Sequence, residues 1–243
     1  MERVAFIIPT LNEAPSIGSV IESIPVTELA KDGYETAVYV VDGRSVDDTR
    51  EIAVAKGAEV ITEARSGKGV AVQTALRAVD ADYVIVADGD NTYPLRVATE
   101  MLRLLQANDV VIGSRLKGTI EPGAMTRLNV VGNVLLSRLA RTLFGTHISD
   151  VCTGFWGYRS DAIRRLELAA RGFEIEVDMF VECVRKGLRI AEIPITYRAR
   201  EDQPKLSSLR DGVKIGLFLC RRRLTQENVG QTHVEKNTEL GRG

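Results

Sequence analysis

The stretch Tyr83-Val84-Ile85-Val86-Ala87-Asp88-Gly89-Asp90-Asn91-Thr92-Tyr93-Pro94 decides how this chain is read. A short apolar run with β-branched residues has the composition of a buried strand. It ends abruptly in two carboxylates separated by one glycine, and a proline soon stops any continuation. Asp88 and Asp90 are thereby placed on a turn at the strand's carboxyl end. Two carboxylates this close raise each other's pKa unless a cation lies between them. Hard oxygen ligands suit Mg²⁺ or Mn²⁺, and Mg²⁺ usually sits on one or two carboxylates while substrate phosphates complete its shell. A bare Asp-x-Asp also fits a polar turn that caps the next helix, so the surrounding chain has to choose.

Moving outward, the pattern of the Tyr83 strand recurs. Val4–Ile8 reads as a first strand broken by Pro9-Thr10-Leu11-Asn12-Glu13, and Ser16 is placed to cap a helix to about Ile24. Glu35–Val41 is a second strand that stops at Asp42-Gly43-Arg44-Ser45, and Ala58–Ile61 a third that leads to Gly67-Lys68-Gly69 and a helix from Val70 to Val79. Strands alternating with helices at this spacing indicate right-handed βαβ units, whose ligands lie beyond the carboxyl ends of the strands. Four loops, carrying Pro9–Glu13, Asp42–Ser45, Gly67–Gly69 and Asp88–Asp90, are expected to meet in one crevice. That convergence favours the metal reading over the bland turn.

Beyond Pro94 the sequence predicts a helix over Leu95–Gln106, a strand over Asp109–Arg115 and a loop from Leu116 to Ala124. Met125–Phe144 then has apolar residues at helical spacing, with Arg127, Arg138 and Arg141 nearby. Such a stripe suits the core, and it also suits a helix lying on an anionic membrane surface. The segment Ile148–Arg159 holds the only tryptophan and reads as a pocket wall, Asp161 as the cap of a helix to about Ala170, and Phe173–Lys186 as an acidic helix. Leu188–Tyr197, interrupted by Pro194, is an edge strand. A polar loop containing Lys205 leads to a last helix, Leu209–Leu224. The expected organisation is one domain over 1–224 and a polar, mobile tail over 225–243.

Composition narrows the classes of function. At 243 residues, with 44% hydrophobic and 27% charged, the chain can bury a sizeable core. A net charge of −1 gives no global attraction to nucleic acid, so an anionic partner must be met by local cations. Cys152, Cys183 and Cys220 lack metal-ligand spacing and read as small hydrophobes in a reducing cytosol. No apolar run approaches the ~20 residues of a membrane-spanning helix, and the N-terminus has no signal-peptide pattern. A cytoplasmic protein, soluble or peripheral to the membrane, is expected.

With these residues assembled, the chain resembles glycosyltransferase family 2, the inverting GT-A transferases of nucleotide-sugars. Within that family it looks most like the polyprenyl-phosphate (dolichyl-phosphate) mannosyl- and glucosyltransferases. The resemblance spans roughly residues 4 to 210 through IIPTLNE, VVDGRSVDDT, GKG, VADGDNTYP, VIGSR, ISDVCTGFWGYR, FEIEVDM and IAEIPITYRAR. It implies a single Rossmann-like α/β domain with a mostly parallel sheet and C-terminal amphipathic helices. It implies that Pro9, Leu11, Asn12, Glu13 and Asp42 line the base and ribose pocket, and that Lys68 and Gly89 lie at the donor. By the same resemblance Asp88 and Asp90 hold the metal, Asp90 being counted catalytic, and Arg115 and Arg127 receive an acceptor phosphate. Lys205 takes the place of a basic residue on a closing loop. Two departures are visible: the second-strand loop is Asp-Gly-Arg-Ser where Asp-Asp-Gly-Ser is common, and Asn91-Thr92-Tyr93 stands where mannose synthases often carry Leu-Gln-His.

The implied reaction moves mannose or glucose from a GDP- or UDP-sugar to polyprenyl phosphate at the cytoplasmic membrane face. Its product is β-linked. A sugar hydroxyl acceptor needs a general base, for which Asp150 is the best placed residue. A phosphate monoester, with a second pKa of about 6, is already mostly a dianion and needs only cations to position it. Transfer to a glycan hydroxyl and a non-catalytic nucleotide-sugar binder are the alternatives.

Overall fold

The structure, a computed structural model, describes residues 1–200 and 210–225. Its centre is β1 (Glu2–Thr10), flanked by β2 (Tyr34–Asp42) and β4 (Tyr83–Val86), both parallel to it. Seven strands form one sheet in the order β3-β2-β1-β4-β6-β5-β7, with β3 (Glu59–Thr62), β5 (Val110–Ile120), β6 (Trp156–Arg159) and β7 (Ile190–Tyr197). Only β6 runs antiparallel to its neighbours. A mostly parallel α/β sheet is therefore what the sequence predicted.

Alternation along β1 sends Val4, Phe6 and Ile8 into one apolar cluster and Ala5 and Ile7 into the other, which is why the strand reads as a continuous hydrophobic run. On the Phe6 side the cover is α1 (Ala14–Glu22), with Ile17, Val20 and Ile21 buried, and α5 (Ala98–Leu105), with Met101, Leu102 and Leu105 buried. On the Ile7 side it is α4 (Lys68–Ala78) and α8 (Ile175–Arg185). Between these lie α2 (Val26–Lys31), α3 (Thr49–Ala55), α6 (Arg127–Phe144), α7 (Ser160–Ile163) and a last helix, α9, over residues 210–225.

Several expectations are corrected. Helix α1 opens at Ala14, not Ser16, because Pro15 is favoured in a first turn whose N–H groups have no helical partners, and the Ser16 hydroxyl instead donates to the Gly89 carbonyl at 2.7 Å. Strand β5 runs through most of the expected loop to Ile120. It shifts register against β7 between Ser114 and Thr119, and Gly118 passes so close to Ile195 that a methyl group there would lie 1.9 Å from its carbonyl oxygen. The helix expected to Ala170 ends at Ile163. Beyond it the Glu167, Ala169 and Ala170 amides turn away from helix geometry and donate to Glu182 and Asp178 of α8. Of the segment Ile148–Arg159, expected as a pocket wall, Trp156–Arg159 form β6, while Asp150 and Gly154 lie against Arg115 and Asp88. Pro194 does lie on an edge strand, since β7 closes the sheet.

The apolar stripe of α6 is split. Only Ser137 and Ala140 are buried, Leu136, Leu139 and Leu143 pack partly against the core, and Leu128, Val131 and Leu135 are exposed. Helix α9 packs near Leu136, with Gly216 facing it, buries Ile215 and Leu219, and turns Val213, Leu217 and Leu224 to solvent. Cys183 is buried, Cys152 half-buried and Cys220 exposed on α9, so only part of the cysteine expectation holds. Lys205 and the tail beyond 225 lie outside the described residues.

Candidate active site

The four turns named from the sequence do meet at the carboxyl edge of the sheet. Gly43 N donates to the Thr10 carbonyl at 2.9 Å, Asn12 N to Ser45 Oγ at 2.8 Å, Ser16 Oγ to Gly89 O, and Lys68 pairs with Asp88. Asn12, Arg44 and Asn91 have positive φ, the only non-glycine residues of the described chain that do, and all three sit in these turns. Strained backbone gathered in one place marks a crevice held by its surroundings.

Each carboxylate there has a distinct environment. Asp42 is fully buried and accepts from the backbone amides of Arg44 and Ser45, so it shapes its own turn. Asp90 is also buried. Its Oδ1 accepts from Thr92 Oγ1 at 2.6 Å, while its Oδ2 faces Arg200 Nη1 at 3.3 Å. Arg200 reaches Glu13 Oε1 with its other terminal nitrogen at 3.0 Å. Asp88 lies against Gly154, where a methyl group would come within 2.6 Å of Oδ2, and shares Lys68 with Glu176, whose Oε1 is 2.5 Å from the ammonium.

Burial, reinforced by the charge of Asp88, raises the Asp90 and Glu176 carboxyl groups above the ordinary range. Burial alone would lower Lys68, but Asp88 and Glu176 hold it above its usual value. Among the described residues Lys68 pairs with Asp88 and Glu176, and Arg200 with Glu13 and Asp90. Asp88 and Asp90, two acids one residue apart, would suit a divalent cation between them. Thr10 Oγ1 and Arg200 Nε are buried without a hydrogen-bond partner among the described residues. Among the described residues no group of three or more His, Cys, Asp or Glu side chains could hold a metal ion by itself. The residues therefore fit a cation whose shell is completed by a ligand's own oxygens.

Farther along the edge the charges are already matched. The Asp150 carboxylate, with no exposure, accepts from Arg115 N at 3.0 Å, Nε at 2.7 Å and Nη2 at 2.8 Å. Arg115 follows the start of the β5 register shift, which aims a side chain away from regular strand geometry, and its guanidinium lies over the Tyr197 ring at 5.2 Å. Burial opposes its charge, and Asp150 reverses that effect. Tyr93 lies between the two regions: its hydroxyl accepts from Gly154 N at 2.7 Å and its ring packs on Phe155 and Tyr197. Arg127 stands exposed on the first turn of α6 and outside this network.

The family model described as "Glycosyl transferase family 2" matches residues 5–167. The chain belongs to that family. It is 39% identical over 228 residues to glycosyltransferase AglJ of Haloferax volcanii, covering 92% of this chain and 73% of the relative. It is 36% identical to the dolichyl-phosphate hexose transferase of the same organism, covering 90% and 93%, and 31% identical to the undecaprenyl-phosphate mannosyltransferase of Micrococcus luteus, covering 82% and 85%. Among solved structures, glucosyl-3-phosphoglycerate synthase from Mycobacterium tuberculosis, in complex with Mn²⁺, uridine-diphosphate and glucosyl-3-phosphoglycerate, superposes with a TM-score of 0.70 at 24% identity, covering 92% and 79%. That likeness establishes the fold.

The protein is thus a glycosyltransferase. Of the residues its sequence announced, the structure brings Glu13, Lys68, Asp88 and Asp90 together and pairs Arg115 with Asp150 farther along the same edge. Glu176, Arg200, Gly154 and Tyr93 were not given roles, although each lies inside a quoted motif. Glu176 and Arg200 also lie beyond the stretch matched by the family model. Each stands among other charged residues, Glu176 beside Glu174 and Asp178 and Arg200 beside Arg198, Glu201 and Asp202, so its sequence surroundings do not single it out.

Proposed function

We propose that this glycosyltransferase moves a hexose, mannose or glucose, from a GDP- or UDP-sugar to a polyprenyl phosphate, with inversion to a β-linked lipid-phosphate sugar. The relatives named dolichyl-phosphate hexose transferase and undecaprenyl-phosphate mannosyltransferase support the acceptor class. The observation that carries the reading is the state of Asp150. Both its oxygens are occupied by Arg115, so it is poorly placed to take a proton from a hydroxyl, and orienting the arginine is the role that remains. A phosphate dianion needs no such base, and the remaining guanidinium N–H groups of Arg115, helped by Arg127 and Lys205, supply the cations that would hold it.

On the donor side, Asp88 and Asp90 would hold Mg²⁺ or Mn²⁺. When bound, that ion neutralises charge developing on the departing nucleoside diphosphate. Lys68 lies beside the same diphosphate, and Pro9, Leu11, Asn12, Glu13, Asp42 and Gly89 shape the nucleotide pocket. The Arg115 side orients the attacking oxygen for displacement from the opposite face of the anomeric carbon. Exposed Leu128, Val131 and Leu135 on α6, with Val213, Leu217 and Leu224 on α9 and exposed Arg127, Arg138, Arg141 and Arg221 among them, suit a helix pair resting on the anionic cytoplasmic face of a membrane. No described helix is long and apolar enough to cross one.

The test is to incubate purified protein with vesicles containing polyprenyl phosphate, Mg²⁺ or Mn²⁺ and a panel of UDP- and GDP-hexoses, and to identify the product by mass spectrometry. A polyprenyl-phosphate hexose is expected. Transfer to a glycan hydroxyl without lipid would replace this reading, and donor binding with no turnover under any condition would leave only a nucleotide-sugar binder.

A further inference from the structure

Helix α9 has an inner face that the reaction does not use. One turn beyond buried Leu219, Arg222 reaches inward: Nη2 donates a hydrogen bond to Glu182 Oε1 at 2.6 Å and stands 2.8 Å from Asp178 Oδ1 as an ion pair without hydrogen-bond geometry. These acids lie one turn apart on α8 with no exposure. Two buried carboxylates so close are costly without cations, and Arg185, 2.7 Å from Glu182, meets only part of the demand. Arg222 is the cation that faces both.

Their remaining oxygens hold the chain that follows α7. Asp178 Oδ2 accepts from the Ala169 and Ala170 amides at 2.6 and 2.8 Å, and Glu182 Oε2 from the Glu167 amide at 3.0 Å. The non-helical segment so anchored is the seat of the Gly67-Lys68-Gly69 turn. The Ala170 carbonyl accepts from Gln73 Nε2 at 2.7 Å, and a methyl group on Gly69 would fall 2.3 Å from that same oxygen. The Arg171 carbonyl accepts from Val70 N, and a methyl group on Gly67 would lie 2.1 Å from it. Helix α8 therefore meets this turn twice. Glu176, in its first turn, holds the Lys68 ammonium, and Asp178, two residues on, fixes the backbone on which the lysine's turn rests.

We infer that Arg222 is a positioning residue for donor binding: through Asp178 and the 167–171 segment it sets where Lys68 stands. This rests on the proposed reading of Lys68 as part of the donor site. The decisive experiment is a double-mutant cycle, measured as the Kd for UDP and for GDP in the presence of Mn²⁺ by calorimetry. Arg222→Met and Lys68→Met are each expected to weaken the preferred nucleotide about tenfold, while their combination is no more than about twofold weaker than Lys68→Met alone. Arg222→Lys should recover most of the affinity. Equal weakening by Arg222→Met in both backgrounds, or an altered melting temperature with unchanged Kd, would reduce Arg222 to a structural tie. If Lys68→Met itself leaves both nucleotides unaffected, the donor reading falls, and the coupling with it. Should Arg222→Met not fold, the same cycle is run with Arg222→Gln, with the same outcomes deciding.

Discussion

The two ends of the crevice are built from the same kinds of side chain and are in opposite electrostatic states. At the Asp88–Asp90 end, among the described residues, Lys68 is shared by Asp88 and Glu176 and Arg200 by Glu13 and Asp90, and burial together with the neighbouring charge lifts Asp90 and Glu176. At the Asp150 end one carboxylate and one guanidinium satisfy each other with three hydrogen bonds. An acid in the first place shares its cation with another acid. An acid in the second has nothing left to offer. Residue type therefore says little about role until the local charge balance is known.

Three substitutions would break or sharpen this contrast. The largest effect is expected from Asp90→Ala, which should lower kcat/KM about 10³-fold, the scale of losing a group that stabilises developing charge. Melting temperature should change little, because the residue removed is a buried acid in an acid-rich cluster. Transfer that stays metal-dependent at near-normal rate in this variant would dismantle the donor-side assignment.

At the other end, Asp150→Asn should leave Arg115 buried and uncompensated, at a cost of about 3–5 kcal/mol in stability, read by denaturant unfolding. The double variant Arg115→Met/Asp150→Leu should recover much of that stability without recovering activity. Lost turnover with full stability in Asp150→Asn would instead point to a proton-accepting role. The smallest effect is expected from Gly154→Ala. Its methyl group would meet Asp88 Oδ2 at 2.6 Å, pushing the carboxylate aside and raising the donor KM about tenfold, or about 1.4 kcal/mol. A KM unchanged from the parent would show that Asp88 tolerates displacement.

Much of this was legible in the sequence where one physical signal dominates. Buried parallel strands announce themselves as short apolar runs, and the turns after them as glycines and acids, so β1, β2 and β4 and their loops were placed to within two residues. Strand β6 was missed because Trp156-Gly157-Tyr158-Arg159 shows neither a long apolar run nor clean alternation; it is a strand through its pairing with β4 and β5. The helix predicted from Asp161 failed for a similar reason. Its amides go to Asp178 and Glu182 of a later helix, a competition that no local propensity reveals. The site followed the same division. Asp88 and Asp90 stood out as adjacent acids on a turn, whereas Glu176 and Arg200 acquire meaning only beside residues far from them in sequence.

The reversed direction of β6 has a consequence of its own. A parallel strand would begin at the far edge of the sheet and deliver its residues to the crevice at its end. Because β6 runs the other way, the chain enters the sheet from the crevice, and the residues leading into it are strung along the site. Asp150, bound to Arg115, and Gly154, against Asp88, are therefore four residues apart on one continuous strap. One short run of chain thus supplies a contact to each end of the crevice.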